Sequence, residues 1–251
     1  MHRQLATAIA LLIIVPISRR VAAQAIGWSG TAEAAASVFQ GNTDQRAVFA
    51  RSELGKADSS VQVRGMVSFG YADSAPDTLR RAVTKRTWLG NLAVDYTPYA
   101  SVSPFAFLNY EASYEKRVLD RVGIGVGGKV KLVSLPDREI NVSLALLAER
   151  LRPTRLSPLH ETTSTARWSW RGRVRQTIDE RLKISHTTFY QPRVSAWDAY
   201  MVNSTSELGY ALREATSLTL SYLVQYDSEA RSRGALSNND AQLLFGVKTT
   251  F

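Results

Sequence analysis

The sequence predicts an all-β protein, a transmembrane antiparallel β-barrel of about twelve strands. Three observations predict it: polarity alternates through successive segments, a secretory-type stretch precedes them, and the last segment ends on the aromatic residue Phe251. The mean hydropathy of −0.15 does not exclude a membrane protein. In such barrels lumen-facing polar residues alternate with lipid-facing apolar ones, so the average is low.

Residues 1–25 are predicted to be a signal peptide, and residues 26–251 the barrel. Arg3 supplies a positive start, residues 6–17 are apolar, and small residues near the end of the stretch offer a cleavage site. Two arginines behind the apolar stretch leave the cleavage position open. An uncleaved anchor is the alternative, and it is disfavoured because a membrane helix needs roughly 20 apolar residues.

From Trp28 onward, segments of roughly 10–14 residues alternate in polarity between turn signals, as transmembrane strands do. Eight segments show the alternation clearly, and their apolar phases begin at Trp28, Val61, Trp88, Ala106, Ile140, Ala166, Tyr200 and Leu218. Weaker strands are predicted near 45–54, 122–134 and 181–191. In the last segment Leu243, Phe245 and Val247 share a face with Phe251, which completes about twelve strands.

The connections are consistent with an even number of strands. Both termini are then predicted to be periplasmic, with even-numbered connections periplasmic and short and odd-numbered ones external and long. The even connections are all compact: 55–60, 97–101, 135–139, 177–181 and 213–217. Three odd ones are long, at 72–86, 151–163 and 228–240, whereas 40–44 and 116–121 are short. The agreement is partial.

Composition excludes some functions. The absence of cysteine excludes disulfides and thiolate chemistry. The formal charge of +9 falls to +6 without residues 1–25, which hold three arginines and no acid. The remaining excess forms no basic block, so binding to nucleic acid is not expected. Aromatic residues on the outward face or near strand ends predict contact with outer-membrane lipid.

Charged residues on the polar phase of the strands are predicted to line the lumen. They are Glu33, Arg51, Arg64, Asp95, Glu111, Glu115, Lys129, Lys131, Arg167, Arg171, Arg173 and Glu207. Facing ladders of opposite sign would favour particular solutes in an open pore. Alternatively, ion pairs fill the lumen and it conducts little, because unpaired buried charges are costly. Twelve strands lie between filled and open barrels, and the second alternative is slightly favoured.

Two patterns suggest chemistry and are weak. Residues 123–128 match G-x-G-x-x-G, but strand alternation follows them instead of the helix that a dinucleotide site needs. His186 has an outward phase and is expected near Ser204 on the next strand, which raises the alternative of a lipid-acting enzyme with a lipid-facing Ser/His site. The register does not fix that pair. The prediction is therefore no enzyme, and no catalytic, cofactor-binding or metal-binding residue.

Three segments carry a resemblance: GWSGTAEAAASVFQGNTDQ (27–45), ALREATSLTLSYLVQYDS (211–228) and YDSEARSRGALSNNDAQLLFGVKTTF (226–251). They resemble domain-of-unknown-function family 481, described as salt-induced outer membrane proteins. The resemblance implies an outer-membrane barrel without established catalytic residues. Its role is then a narrow passive channel or an envelope-stress structural protein, and its oligomeric state stays open.

The last strand carries two further expectations. It is expected to pair with the strand beginning near Trp28, because a barrel leaves no open edge in lipid. The terminal Phe251 implies recognition of this strand by the barrel-assembly machinery of Gram-negative bacteria.

Overall fold

The computed structural model of the protein describes residues 27–39, 43–76 and 81–251, and these residues form twelve β-strands. The strands are β1 (Gly27–Phe39), β2 (Thr43–Ala57), β3 (Val61–Pro76), β4 (Ala82–Tyr96), β5 (Val102–Ser113), β6 (Val118–Ser134), β7 (Arg138–Pro153), β8 (Thr163–Thr177), β9 (Leu182–Pro192), β10 (Tyr200–Arg213), β11 (Thr216–Asp227) and β12 (Asn239–Thr250). A single 3₁₀ turn, Arg231–Arg233, lies among these residues. Within the same ranges, no helix is long and apolar enough to cross a membrane.

The strands close into one barrel. Each strand pairs antiparallel with its neighbours in sequence, and β12 returns to pair with β1. The predicted fold class is therefore confirmed. The segments predicted as weak strands are full strands, β2, β6 and β9, in the ring. The predicted signal peptide at residues 1–25 lies outside the described residues and stays a prediction.

The closing ladder between β1 and β12 is short. Its register runs from Thr31 opposite Thr250 to Ala35 opposite Gly246. Gly30 and Phe251 extend it with two backbone hydrogen bonds, in which Gly30 N–H donates to the Phe251 carbonyl at 2.8 Å and the Phe251 N–H donates back at 3.0 Å. The Phe251 ring lies over Gly30, where a Cβ atom would come within 2.6 Å of its Cζ. The terminal aromatic thus covers the strand that it closes against.

The barrel is polar inside and apolar outside. Among the described residues, 21 buried side chains are polar or charged and only 8 are hydrophobic. Large apolar side chains instead lie on the outer wall, for example Trp28, Val67 and Leu243, each more than half exposed. A water-soluble sandwich would bury such residues. The distribution is the one that lipid outside and a polar lumen inside require.

The barrel has two ends, here called the terminal end, which carries Gly27 and Phe251, and the far end. Connections at the terminal end are residues 58–60, 97–101, 135–137, 178–181 and 214–215. Those at the far end include 114–117, 154–162, 193–199 and 228–238. The predicted long connection at 72–86 is wrong, because β3 continues to Pro76 and β4 begins at Ala82. The strands extend there through a bulge at Ala72/Asp73 and an ion pair between Asp73 and Arg81.

The glycine-rich segment 123–128 lies wholly within β6. Gly125 faces the lumen, where a Cβ atom would clash with the ring of Phe107 on β5. A Cβ atom at Gly123 would come within 2.8 Å of Leu147 Cδ1 on β7. These glycines therefore make room for larger lumen neighbours, and no helix begins there to bind a pyrophosphate.

A Gly30→Val substitution tests the closure. The new side chain would occupy the place of the Phe251 ring, so the purified barrel should lose about 1–3 kcal/mol of unfolding free energy, as overpacked sites do. The measurement is urea unfolding in lipid vesicles, followed by the shift in electrophoretic mobility between folded and boiled samples.

Gly172→Val is the matched control. Gly172 lies on the same outward face, but no atom lies within 4 Å of a Cβ built on it. Equal stability of the two variants would contradict the packing of Phe251 on Gly30.

Candidate functional site in the barrel lumen

An ion pair crosses the lumen near the far end. Arg121 on β6 donates through Nη2 to Asp227 on β11 at 2.9 Å. These strands are five positions apart around the closed ring, so the contact joins opposite walls. Arg121 also donates to Glu111 at 2.8 Å and lies 3.7 Å from Glu149. One guanidinium therefore connects three carboxylates from three strands.

The β11–β12 loop, residues 228–238, lies across the far mouth. Its buried Arg233 donates to Asp227 at 2.5 Å and to the Lys116 carbonyl at 3.5 Å. Lys116 belongs to the β5–β6 turn, which is on the opposite side of the ring. Gly234, with φ of 87°, ends the 3₁₀ turn, and a Cβ atom there would lie 2.9 Å from Pro158 of the β7–β8 loop. The loop is thus held against both facing connections.

A second arginine at this end is more deeply buried. The Arg167 side chain is 1% exposed and pairs with Glu149 and Glu229, each at 3.2 Å. It also donates to the carbonyls of Gln191 and Ala199 at 3.1 Å. Four of the five N–H donors of this guanidinium therefore have an acceptor.

Nine of the ion pairs at the far end, here called the far-end network, involve six basic and five acidic side chains. The basic members are Lys85, Lys116, Arg121, Arg167, Arg193 and Arg233, and the acidic members are Glu111, Glu115, Glu149, Asp227 and Glu229. Removing the partner of a buried member would leave an uncompensated charge and would cost several kcal/mol of stability. The members of the network therefore depend on one another. It closes the far mouth with charge nearly balanced.

The terminal half of the lumen is wetter. Asp95 accepts from Arg64 at 2.6 Å and from Lys129 at 3.0 Å, and Lys248 donates to Glu207 at 2.8 Å. Further side chains keep contact with water: that of Glu53 is 46% exposed and that of Arg175 is 47% exposed, against 3% for Asp227. A cavity of about 240 Å³ opens there between β9 and β12, lined by Lys183, Glu207 and Lys248 among others.

Two lumen arginines in this half have no carboxylate partner among the described residues. Arg171 and Arg173 face inward from β8, opposite the neutral residues Ser143 and Asn141 of β7. The Nε of each is buried without a hydrogen-bond acceptor. Arg171 lies over the Phe105 ring, 5.7 Å from its centroid, which leaves the guanidinium edges free. Both side chains are partly buried and form no ion pair among the described residues.

The structure places the predicted lumen residues on the inward face. Glu115 is an exception, because it lies in the β5–β6 turn and not on a strand. It accepts a hydrogen bond from Thr87 at the far mouth. Opposite charges form local pairs instead of the facing ladders considered from the sequence. Sequence reasoning missed Lys116, Arg193, Glu229 and Arg233, which lie in connections without periodicity. Asp227 had the right phase but no visible partner.

A polar chain lies on the lipid-facing wall. His186 Nδ1 lies 2.8 Å from Ser206 Oγ, and its Nε2 lies 2.8 Å from Thr188 Oγ1, which lies 3.0 Å from Ser204 Oγ. The expected pairing with Ser204 is therefore wrong in register, because Ser206 is opposite His186. The second ring nitrogen meets a hydroxyl, and no carboxylate or amide of the described residues orients it as nucleophilic catalysis requires. These hydrogen bonds give partners to polar side chains that would otherwise face hydrocarbon unpaired.

No group of histidine, aspartate and glutamate that could hold a metal ion occurs in the described part of the chain. The arrangement is that of a closed, polar-lined transmembrane barrel. Its fold is similar to the NanC porin structure, with a TM-score of 0.51, 11% identity, and coverage of 88% of this chain and 98% of that one. This likeness shows the fold alone, a closed antiparallel β-barrel.

Two further structures are similar at lower scores, which support no argument. The translocator domain of the autotransporter NalP from Neisseria meningitidis has a TM-score of 0.45, 9% identity, and coverage of 91% of this chain and 90% of that one. The KdgM porin has a TM-score of 0.44, 10% identity, and coverage of 89% of this chain and 99% of that one. No curated protein matches in sequence. Residues 32–251 match the family model described as "Protein of unknown function, DUF481", and the chain belongs to that family.

Proposed function

We propose that the protein is a narrow passive channel of the outer membrane, held closed at its far end by the far-end network. The observation that carries the proposal is the Arg121–Asp227 ion pair across the lumen, to which the β11–β12 loop adds Arg233. Every member of this closure is a side chain or a loop, whereas the barrel wall is continuous around it. Movement of the loop would open the mouth without breaking a strand pair.

The terminal half of the lumen supports a channel over a purely structural barrel. A barrel with only a structural role gains nothing from the unpaired cations Arg171 and Arg173, since uncompensated charge in the interior destabilises it. In a solute path such cations act as a selectivity element. An envelope-stress structural barrel remains the second candidate, favoured by the completeness of the far-end network, and it predicts a lumen that stays sealed in every variant.

The same proposal includes location and orientation. The porin-like fold supports an outer-membrane location, and the far end is proposed to be external. The support is that three far-end connections, 154–162, 193–199 and 228–238, are longer than any described connection at the terminal end. Both termini are then periplasmic, where the barrel-assembly machinery would meet β12. The lipid-acting enzyme is not proposed, because His186 lacks an orienting group.

Replacing residues 229–237 with Gly-Gly-Ser tests the closed-channel proposal. The change removes Arg233 and Glu229, so the far mouth loses its cover. In planar bilayers the native protein should show little current, and the variant should show discrete conductance steps. Ser232→Ala, which leaves the loop in place, should behave as the native protein does. A folded loop variant that stays sealed even when Arg121→Met also removes the ion pair across the lumen would contradict the channel and favour the structural barrel.

Orientation is tested by cysteine labelling in intact cells. Because the native chain has no cysteine, only the introduced thiol of this protein can react. Ser232→Cys at the far end should react with a membrane-impermeant maleimide. Ser59→Cys, equally exposed in the β2–β3 turn at the terminal end, should react only after the outer membrane is permeabilised. The reverse pattern would show that the termini are external.

A further inference from the structure

Charge is unevenly distributed along the lumen. In the terminal half, nine inward-facing basic residues accompany five acidic ones within the described strands. The basic residues are Arg51, Arg64, Lys129, Lys131, Arg171, Arg173, Arg175, Lys183 and Lys248, and the acidic ones are Glu33, Glu53, Asp95, Glu139 and Glu207. The far-end network is nearly balanced by comparison. The positive excess is thus confined to the half that water reaches.

Four of the nine basic residues form no ion pair among the described residues, namely Lys131, Arg171, Arg173 and Lys183, and the two arginines are neighbours on the inward face of β8. The acidic groups in this half are already engaged: Asp95 with Arg64 and Lys129, and Glu139 with Arg175 at 3.4 Å. Glu53 is paired with Arg51, Glu207 with Lys248, and Glu33 accepts from Thr219 at 2.8 Å. None of these carboxylates forms an ion pair with Arg171 or Arg173, and the buried Nε atoms of the two arginines have no hydrogen-bond acceptor.

We propose that Arg171 and Arg173 form a binding site for a small dianionic solute with carboxylate or phosphate oxygens. The inference rests on the proposed function, since a solute site in the lumen has a role only if the lumen admits solutes. The site is reached from the terminal end, because the far-end network closes the other mouth. The two arginines would make the proposed channel selective for solutes of this class.

The geometry suits such a ligand. Residues two apart on a strand project to the same side about 7 Å apart, a separation that a four-carbon dicarboxylate can bridge. Each guanidinium presents a planar fork that fits carboxylate or phosphate oxygens with two parallel hydrogen bonds. Phe105 lies under the Arg171 guanidinium and holds its plane. Lys131, also inward on β6, adds positive charge without a carboxylate partner among the described residues.

Titration calorimetry of the purified barrel in neutral detergent at low ionic strength tests the proposal, with succinate and inorganic phosphate as probes. The native protein should bind both, and butane-1,4-diol, which has no charge, should not bind. An Arg171→Gln/Arg173→Gln variant should bind at least about tenfold more weakly, the loss expected for charge-assisted hydrogen bonds. Binding of succinate alone would restrict the class to dicarboxylates, and binding of phosphate alone to phosphates.

An Arg46→Gln/Lys56→Gln variant is the matched control, because it removes the same charge from the outer wall and should bind as the native protein does. Succinate should also raise the unfolding temperature of the native barrel and not that of the Arg171/Arg173 variant. Native protein that binds neither anion, or equal binding by both variants, would overturn the site. Calorimetry does not require a conducting pore, so this failure is separate from failure of the channel.

Discussion

The rest of the structure depends on the fact that a bilayer offers no water to an unpaired backbone amide. Strands in lipid must therefore close into a ring, and β12 must return to β1. Closure turns the alternation of the strands into an apolar wall and a polar interior. That interior then has its own requirement, because charges brought into a narrow lumen must find partners, ligands or water. The ion pairs of the lumen follow from the closure of the sheet.

The two halves of the lumen meet this requirement differently. At the far end the β11–β12 loop brings Arg233 to Asp227, and Arg121 reaches the same carboxylate from the opposite wall. The charges there are paired, and the central ones, Arg121, Arg167 and Asp227, are buried. At the terminal end Arg171 and Arg173 are left to water or to an anion. The lumen thus has one end that is crossed by ion pairs and another end with an excess of positive charge.

The number of strands, the inward or outward side of each residue and the closure of the ring could be predicted. Side chains alternate along a strand with a period of two, so this pattern can be recognised from neighbouring residues alone. The prediction failed at 72–86, where β3 continues to Pro76 and β4 begins at Ala82 although the sequence shows no clear alternation there. The strand that closes the ring was predicted, but the partners of individual side chains were not. Whether Arg121 meets Asp227, or His186 meets Ser206, depends on the stagger of strands around the ring. Arg233 lies in a loop, where no periodicity marks an inward side chain.

The central claim is that Arg121 and Asp227 hold each other across the lumen, and a double-mutant cycle tests it most directly. The unfolding free energies of the native barrel, Arg121→Met, Asp227→Asn and the double variant would be measured in lipid vesicles. A direct buried ion pair predicts a coupling energy of about 2 kcal/mol or more between the two substitutions. Additive effects, with coupling near zero, would show that the two side chains do not meet and that the far end is not closed in this way.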